Sequence, residues 1–249
     1  MSLQCWADLH IHTALSPCAS NEMTPLTIIE KSVTVGLKLI AITDHNSSCN
    51  VAAVQEASKN YPLEVIPGIE VQSKEEVHLV CLFPDIKKCF KFQKIVDNNL
   101  PQVKNKEQFF GEQIIFDLTG KPVGQEEKML LNSVTLTIDE IFFWVKKYAG
   151  ICIPAHIDRP SYSLLANLGT LPRLDYPAFE VASIENIAAL KTQFPELNDY
   201  SIICNSDAHY PDMIGRGKTL FKINTKSFKE VINALAAGKE ESIFCCCES

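Results

Sequence analysis

Along the chain, short apolar runs that end in polar residues alternate with longer stretches of helical periodicity. Trp6 to Ile11, Leu39 to Thr43, Val65 to Glu70, His78 to Phe83, Ile151 to Ala155, Ala178 to Val181 and Ile202 to Asn205 read as strands. Most are near-continuous in apolar residues, the pattern of strands covered on both faces. Between them, Pro25 to Val35 reads as a helix, with Thr24 placed to cap it and Pro25 at its first position. Asn50 to Lys59, Ile138 to Tyr148, Ile184 to Gln193 and Phe228 to Ala237 are further helix candidates. Such alternation predicts an α/β fold, a mostly parallel sheet or barrel with outer helices.

One stretch breaks the rhythm. Asp85 to Leu136 opens with Lys87, Lys88, Lys91 and Lys94 and later carries the turn signal Thr119-Gly120-Lys121-Pro122. It reads as an insertion at about 85–136 within a single domain spanning 1–249: a helix, then a hairpin or small subdomain near Gln113 to Gln125. Lysines along one helix face point to solvent. An insertion that follows a strand end is also placed to cover the mouth of a site.

Composition then narrows the classes. A chain of 249 residues is long enough for one large α/β domain. The net charge of -7 argues against an extended nucleic-acid surface or an anionic-membrane binder. It leaves room for a small phosphorylated substrate, because bound metal ions reverse the field inside a pocket. No apolar run is long enough to span a bilayer, and Met1 to Asp8 lacks a basic region followed by an apolar core. The ten cysteines are scattered, several inside strand-like runs (Cys81, Cys152, Cys204), and read as reduced core thiols of a cytoplasmic protein. The run Cys245-Cys246-Cys247 reads as a final strand or a tail.

The six histidines carry the chemistry. His10 and His12 lie two apart at the end of the first strand, where alternate residues share a face. His45 follows the second strand, His78 opens the fourth, His156 closes the fifth and His209 follows the seventh, while Glu70 ends the third and Asp207 follows the seventh. In barrel folds chemistry is placed at the carboxyl ends of strands. Mixed imidazole and carboxylate donors suit zinc, manganese or iron better than calcium. The ligands are too many for one tetrahedral ion, so two or three divalent ions are expected.

Taken in order, Asp8-Leu9-His10-Ile11-His12-Thr13, Thr43-Asp44-His45, Gly68-Ile69-Glu70, His78, Pro154-Ala155-His156 and Ser206-Asp207-Ala208-His209 resemble the PHP (polymerase and histidinol phosphatase) superfamily of metal-dependent phosphoesterases. The resemblance implies a distorted seven-stranded (β/α) barrel, related to the TIM barrel, with a three-metal centre. It implies that His10, His12, Glu70 and Asp207 hold one ion. Glu70 then bridges to a second, held also by His78 and His156, and His45 and His209 hold the third. Where many members carry an aspartate after the first motif this chain has Pro17, and where some carry a histidine it has Cys18. The resemblance thus implies Cys18 as a thiolate ligand of the third ion.

The activity implied is attack of a metal-activated hydroxide on a small phosphate ester such as a nucleotide or sugar phosphate. Arg159, three residues past His156, is the first choice to hold the phosphate, and Arg216 in Gly215-Arg216-Gly217 the second. Asp44 either orients a histidine or caps a turn. An amidohydrolase-type C–N hydrolase also uses His-x-His after a first barrel strand, and a non-catalytic, metal-stabilised PHP module is the third reading. Activity on amides but not phosphoesters distinguishes the former, and binding of at most one metal equivalent the latter.

Overall fold

The computed structural model describes residues 3–236 and, as backbone, 243–247. In chain order the elements begin β1 (Leu3–Ile11), α1 (Pro25–Thr34), β2 (Leu39–Ile42), α2 (Val51–Ser58), β3 (Glu64–Gln72) and β4 (His78–Leu82). Residues 85–136 then form α3 (Ile86–Asn99), α4 (Glu107–Phe110) and the hairpin β5 (Ile114–Phe116) and β6 (Pro122–Gln125). The chain continues with α5 (Ile138–Lys147), β7 (Ile151–Pro154), α6 (Leu164–Leu168), β8 (Ala178–Val181), α7 (Ile187–Gln193) and β9 (Ser201–Cys204). It ends with β10 (Gly217–Ile223), α8 (Phe228–Ala236) and β11 (Ile243–Cys247).

Local chemistry sets these boundaries. Thr24 caps α1 by accepting the Thr27 N–H, with Pro25 behind it. Thr137 and Glu140 form a reciprocal capping box at the start of α5. Asp85 starts α3 by accepting the Lys88 N–H, and α3 buries Cys89, Phe92, Gln93 and Val96.

Seven strands form one sheet in the order β11-β10-β1-β2-β3-β4-β7, and β8 and β9 form a separate parallel pair. Of the expected distorted seven-stranded (β/α) barrel, the structure has the α/β class and a seven-stranded sheet, mixed and curled into a half-barrel. Only β1–β2 and β2–β3 are parallel within the large sheet, and β3–β4, β4–β7, β1–β10 and β10–β11 are antiparallel. The reason is connection length. Ser73 to Val77 joins β3 to β4, far too short for a parallel crossover, which needs a dozen or more residues. Among the described residues no ladder joins β7 to β8. Side-chain packing closes that side, since Ala178 and Ile203 share a buried cluster with Leu9, Ala41, Ile66, Val80, Ile153 and Phe221.

A register irregularity between Asp8 and Ile11 places the first histidines. Ala7 and Leu9 belong to the cluster inside the curl, whereas Ile11 packs outward against Ile28, Ile29 and Val54. The shift resets the alternation, so His10 and His12, on either side of Ile11, turn inward. Among the described residues no helix is long and apolar enough to cross a membrane. The strand β11 takes up Cys245 to Cys247 along β10, and the side chains of that run lie outside the described residues.

Candidate metal centre

Inside the curl, His10, His12, Glu70 and Asp207 bring one donor atom each within 4.8 Å of one another. His45, Glu70 and His78 form a second such group, and His12, His45 and His209 a third. The first is the set implied for one ion. The second differs from expectation by holding His45 in place of His156, although His156 Nε2 stands 3.4 Å from Glu70 Oε1. All six histidines therefore face one buried space, and Glu70 lies at its centre. Its Oε1 is 2.9 Å from His78 Nδ1 and 3.1 Å from His10 Nε2, and its Oε2 is 2.8 Å from His45 Nδ1.

Hydrogen bonds on the far side of four rings, those of His10, His12, His78 and His209, decide which nitrogen faces that space. His10 Nδ1 lies 3.0 and 3.1 Å from the two Glu180 oxygens and donates there, which turns Nε2 inward; burial opposes charge on this ring, but the Glu180, Asp207 and Glu70 carboxylates raise it well above its ordinary value. The Ser16 hydroxyl donates to Asp44 Oδ1 at 2.7 Å, leaving its oxygen to accept from His12 Nδ1 at 2.8 Å and from the His45 N–H at 3.2 Å. Burial and the neighbouring His209 and His45 rings hold His12 well below its ordinary value. The ring is thus neutral, and its Nε2 stands 3.0 Å from Asp207 Oδ1. His78 gives its Nε2–H to Gln72 Oε1 (3.2 Å), and His209 gives its Nδ1–H to the Asp207 carbonyl (2.8 Å).

The consequence is a cavity of facing lone pairs. His10 Nε2, both Glu70 oxygens and both His156 nitrogens are buried without a hydrogen-bond partner. Unpartnered buried polar atoms cost about 1–3 kcal/mol each, more when charged. This donor set fits divalent cations. Burial opposes ionisation of Glu70, yet the His78, His10 and His45 rings facing it hold its carboxyl well below the usual range. Asp207 follows the same balance, with burial overcome by His10 and His12.

Asp44 lies outside the three groups. It accepts the Thr13 N–H (2.7 Å), the Thr13 hydroxyl (2.8 Å) and the Ser16 hydroxyl, and so sets His12 through Ser16. Cys18 is exposed and stands beside His45 and His209. Burial of its sulfur raises the thiol pKa, but these two rings win and bring it down to about 6. Cys18 belongs to none of the three groups. Arg159 reaches the rim, with its guanidinium 2.5 Å from Asp207 Oδ2. Arg216 pairs instead with exposed Asp212 at 2.6 Å.

Sequence reading missed Glu180. It lies in the apolar run of β8, almost fully buried, and accepts from His10, from the His156 N–H (3.2 Å) and from the Asn205 amide (2.7 Å). The signal was present: a lone carboxylate inside a strand covered on both faces must be paired. Residues 85–136 hold the ligand-bearing loops. Gln93 accepts the Ser48 N–H and donates to the Asn46 carbonyl, and Ile114 donates its N–H to the Ala14 carbonyl.

Comparison with known proteins adds to this geometry. A family model described as PHP-associated matches residues 193–240. The 5'-3' exoribonuclease Rnm of Salmonella typhimurium is 33% identical over 84 residues, which is 32% of this chain and 28% of that protein. The lesion-specific endonuclease PfuEndoQ from Pyrococcus furiosus superposes with a TM-score of 0.72 at 20% identity, over 97% of this chain and 58% of that one. A structure of Endonuclease Q with a 27-mer duplex bearing an abasic lesion at its active site gives 0.71 at 19% identity, over 96% and 58%. A protein from Bifidobacterium adolescentis assigned as a metal-dependent phosphoesterase gives 0.56 at 17%, over 82% and 87%. The chain thus spans less than two thirds of the exoribonuclease and of the endonuclease.

These relatives overturn one expectation. The exoribonuclease and the endonuclease act on nucleic acid, against a small substrate and no nucleic-acid surface. A net charge sums the whole surface, whereas a strand is met by the local field of a metal-binding cleft.

Proposed function

We propose that the chain is a PHP-type hydrolase whose centre binds divalent metal ions and hydrolyses phosphate ester bonds of a nucleic-acid strand, a reading supported by the PHP-associated match over residues 193–240, by the partial likeness to the exoribonuclease and by the shared fold of the endonuclease. The observation that carries this is the convergence of six imidazoles, Glu70 and Asp207 on one buried space, with His10, His12, His78 and His209 each fixed by a partner on the far side of the ring. His12, Glu70 and His45 each belong to two of the three donor groups, which favours two or three ions sharing ligands. Nitrogen and carboxylate donors favour zinc, manganese or iron, with the Cys18 sulfur beside His45 and His209 as a further donor. Bound divalent ions lower the pKa of water and neutralise charge developing on a phosphate. The chain's own residues do the rest. Glu180, Ser16 and Gln72 keep three rings aimed, and burial excludes bulk water from Glu70. Half-exposed Arg159, held against Asp207, presents a planar fork that matches a phosphate oxygen pair at the rim.

The test is direct. Metal content of the purified protein should exceed one equivalent, and cleavage should be found among single- and double-stranded DNA and RNA substrates. A fully loaded, folded protein that cuts none of these sinks the proposal.

A further inference from the structure

Tyr162, in the loop after β7, turns one aromatic face to the metal centre and leaves the other open. Its ring stacks on the His78 imidazole with centroids 4.9 Å apart and planes 15° from parallel, yet 46% of the residue is exposed. The residue is fixed in this position. Its carbonyl accepts the His78 N–H at 3.0 Å. The next residue, Ser163, caps α6 and donates its hydroxyl to the Arg159 carbonyl at 2.8 Å. Asp158 ties the loop to the end of β8 by accepting the Ala182 and Ser183 N–H groups and the Asn186 amide. Tyr162 itself has φ of 55°, a left-handed conformation that a bulky side chain adopts only where its surroundings dictate it.

Three residues earlier on the same loop lies Arg159, whose guanidinium stands on the Asp207 carboxylate at the rim. A cation for a phosphate beside a preset, open aromatic face is the combination by which proteins hold unpaired nucleotides: charge on the backbone and ring on the base. A base inside a duplex is covered on both faces by its neighbours, so it cannot take the ring until it leaves the stack.

We propose that the outer face of Tyr162 stacks on an unpaired nucleobase adjoining the phosphate at the metal centre. The substrate class is then a strand that is single-stranded, frayed or locally turned out at that base. This rests on the nucleic-acid reading above. The competing role for Tyr162 is that of a cover that only steadies His78, and the two roles differ in what they do to a missing base.

The experiment uses the metal-loaded full chain and a labelled single-stranded oligonucleotide with phosphorothioate linkages, together with copies that each lack one base. Binding is read by fluorescence anisotropy and metal content by elemental analysis. Wild type should lose about tenfold in affinity when the base at one position is missing, the scale of stacking one base on an aromatic ring. Tyr162→Ala should bind the intact strand about tenfold more weakly, ignore the missing base, and keep its metal. Tyr162→Phe should stay within about twofold of wild type. An unchanged affinity and unchanged base profile in Tyr162→Ala overturns the inference. So does loss of metal in Tyr162→Ala with its base profile intact, which assigns the ring to steadying His78. If wild type cleaves nucleic acid in these cases, the proposed function stands without this inference. If wild type neither binds nor cleaves any strand, both fall.

Discussion

The large sheet and the β8–β9 pair face the same centre but are held to it by different means. On the sheet side, β1, β2 and β3 are joined by parallel ladders, the first interrupted by one register shift between Asp8 and Ile11, and these strands or the loops beyond them carry His10, His12, His45 and Glu70. On the other side, among the described residues, no ladder reaches β1 from β9 beyond an isolated bridge between Ile11 and Ala208. Buried contacts take its place: the Leu9 N–H bonds Asn205 Oδ1 at 2.8 Å, the His12 N–H bonds the Ala208 carbonyl at 3.0 Å, and Glu180 holds His10. Here the ligand-bearing backbone is strained, with His156 at φ 30° and Asp207 at φ 48°, and neither His156 nitrogen has a partner. The difference teaches that closing the curl and orienting His10 are one task. Glu180 accepts from His10, His156 and Asn205 together, so a single carboxylate fixes the seam and a metal-facing ring.

The largest expected effect breaks the ladder-held side. His10→Ala removes a donor from the first group while the sheet around it keeps its pairing. It should lower kcat/KM by at least about a thousandfold, roughly 4 kcal/mol of transition-state stabilisation, with far-UV circular dichroism unchanged. Surviving activity means that the ion-binding assignment of this group is wrong.

Next comes the seam. In Glu180→Gln one accepting oxygen becomes a donor, facing a histidine N–H, an asparagine amide or a backbone N–H. Metal affinity or activity should fall about 10- to 100-fold, the usual effect of removing a partner behind a ligand. Stability should fall by about 1–3 kcal/mol in denaturant titrations, because a buried donor is left unpaired. A loss of activity without a loss of stability separates ligand orientation from closure, contrary to the coupling inferred above.

The same comparison explains what the sequence made legible. Histidine is rare in this chain, and the runs before His12, His45 and His209 are apolar enough to be read as strands, so their shared position was visible in one dimension. Glu180 was hidden because its partners come from β1, β7 and β9, which no local pattern connects. The barrel expectation held only in part for a related reason. Alternating strands and helices suggest parallel pairing, but the short Ser73–Val77 connection forces β4 to run back beside β3, and the sheet stays open. The seam is a tertiary fact built from buried side chains and one isolated backbone bridge between Ile11 and Ala208, whereas ladders follow from strand order and loop length.

Metal removal should widen the difference between the two sides. Ions bound at about a hundred times their Kd contribute about 2.7 kcal/mol to folding, so chelation should lower the thermal midpoint. The loss should be local first. Amide exchange in 155–163 and 205–210 should rise more than in 12–18 and 43–50, where Ser16, Asp44 and Gln93 hold the backbone without an ion. Equal rises on both sides contradict the contrast. Acid acts in the same order. Imidazoles facing Glu70 and Asp207 depress both carboxyls, so their contribution is present above the unfolded value of about 4 and lost only as pH falls through the lower folded values. Protons compete with metal for the His10, His45 and His209 imidazoles, which burial lowers but acidic neighbours raise above their ordinary value, so metal should leave before the chain unfolds.

The smallest effect separates the two arginines. Arg216 and Asp212 form an exposed pair four residues apart, and such pairs are worth about 0–1 kcal/mol. Arg216→Ala should therefore change stability by less than about 0.5 kcal/mol and leave kcat/KM on a cleavable strand unchanged. Arg159 sits against Asp207, a carboxylate of the first donor group, on the seam side. Arg159→Ala should lower kcat/KM about tenfold, the scale of one charge-assisted hydrogen bond. Equal losses in the two variants place the strand across the β10 edge as well as the loop after β7. A loss in Arg159→Ala alone keeps the phosphate on the seam, where Glu180 and Asn205 do the work of a ladder.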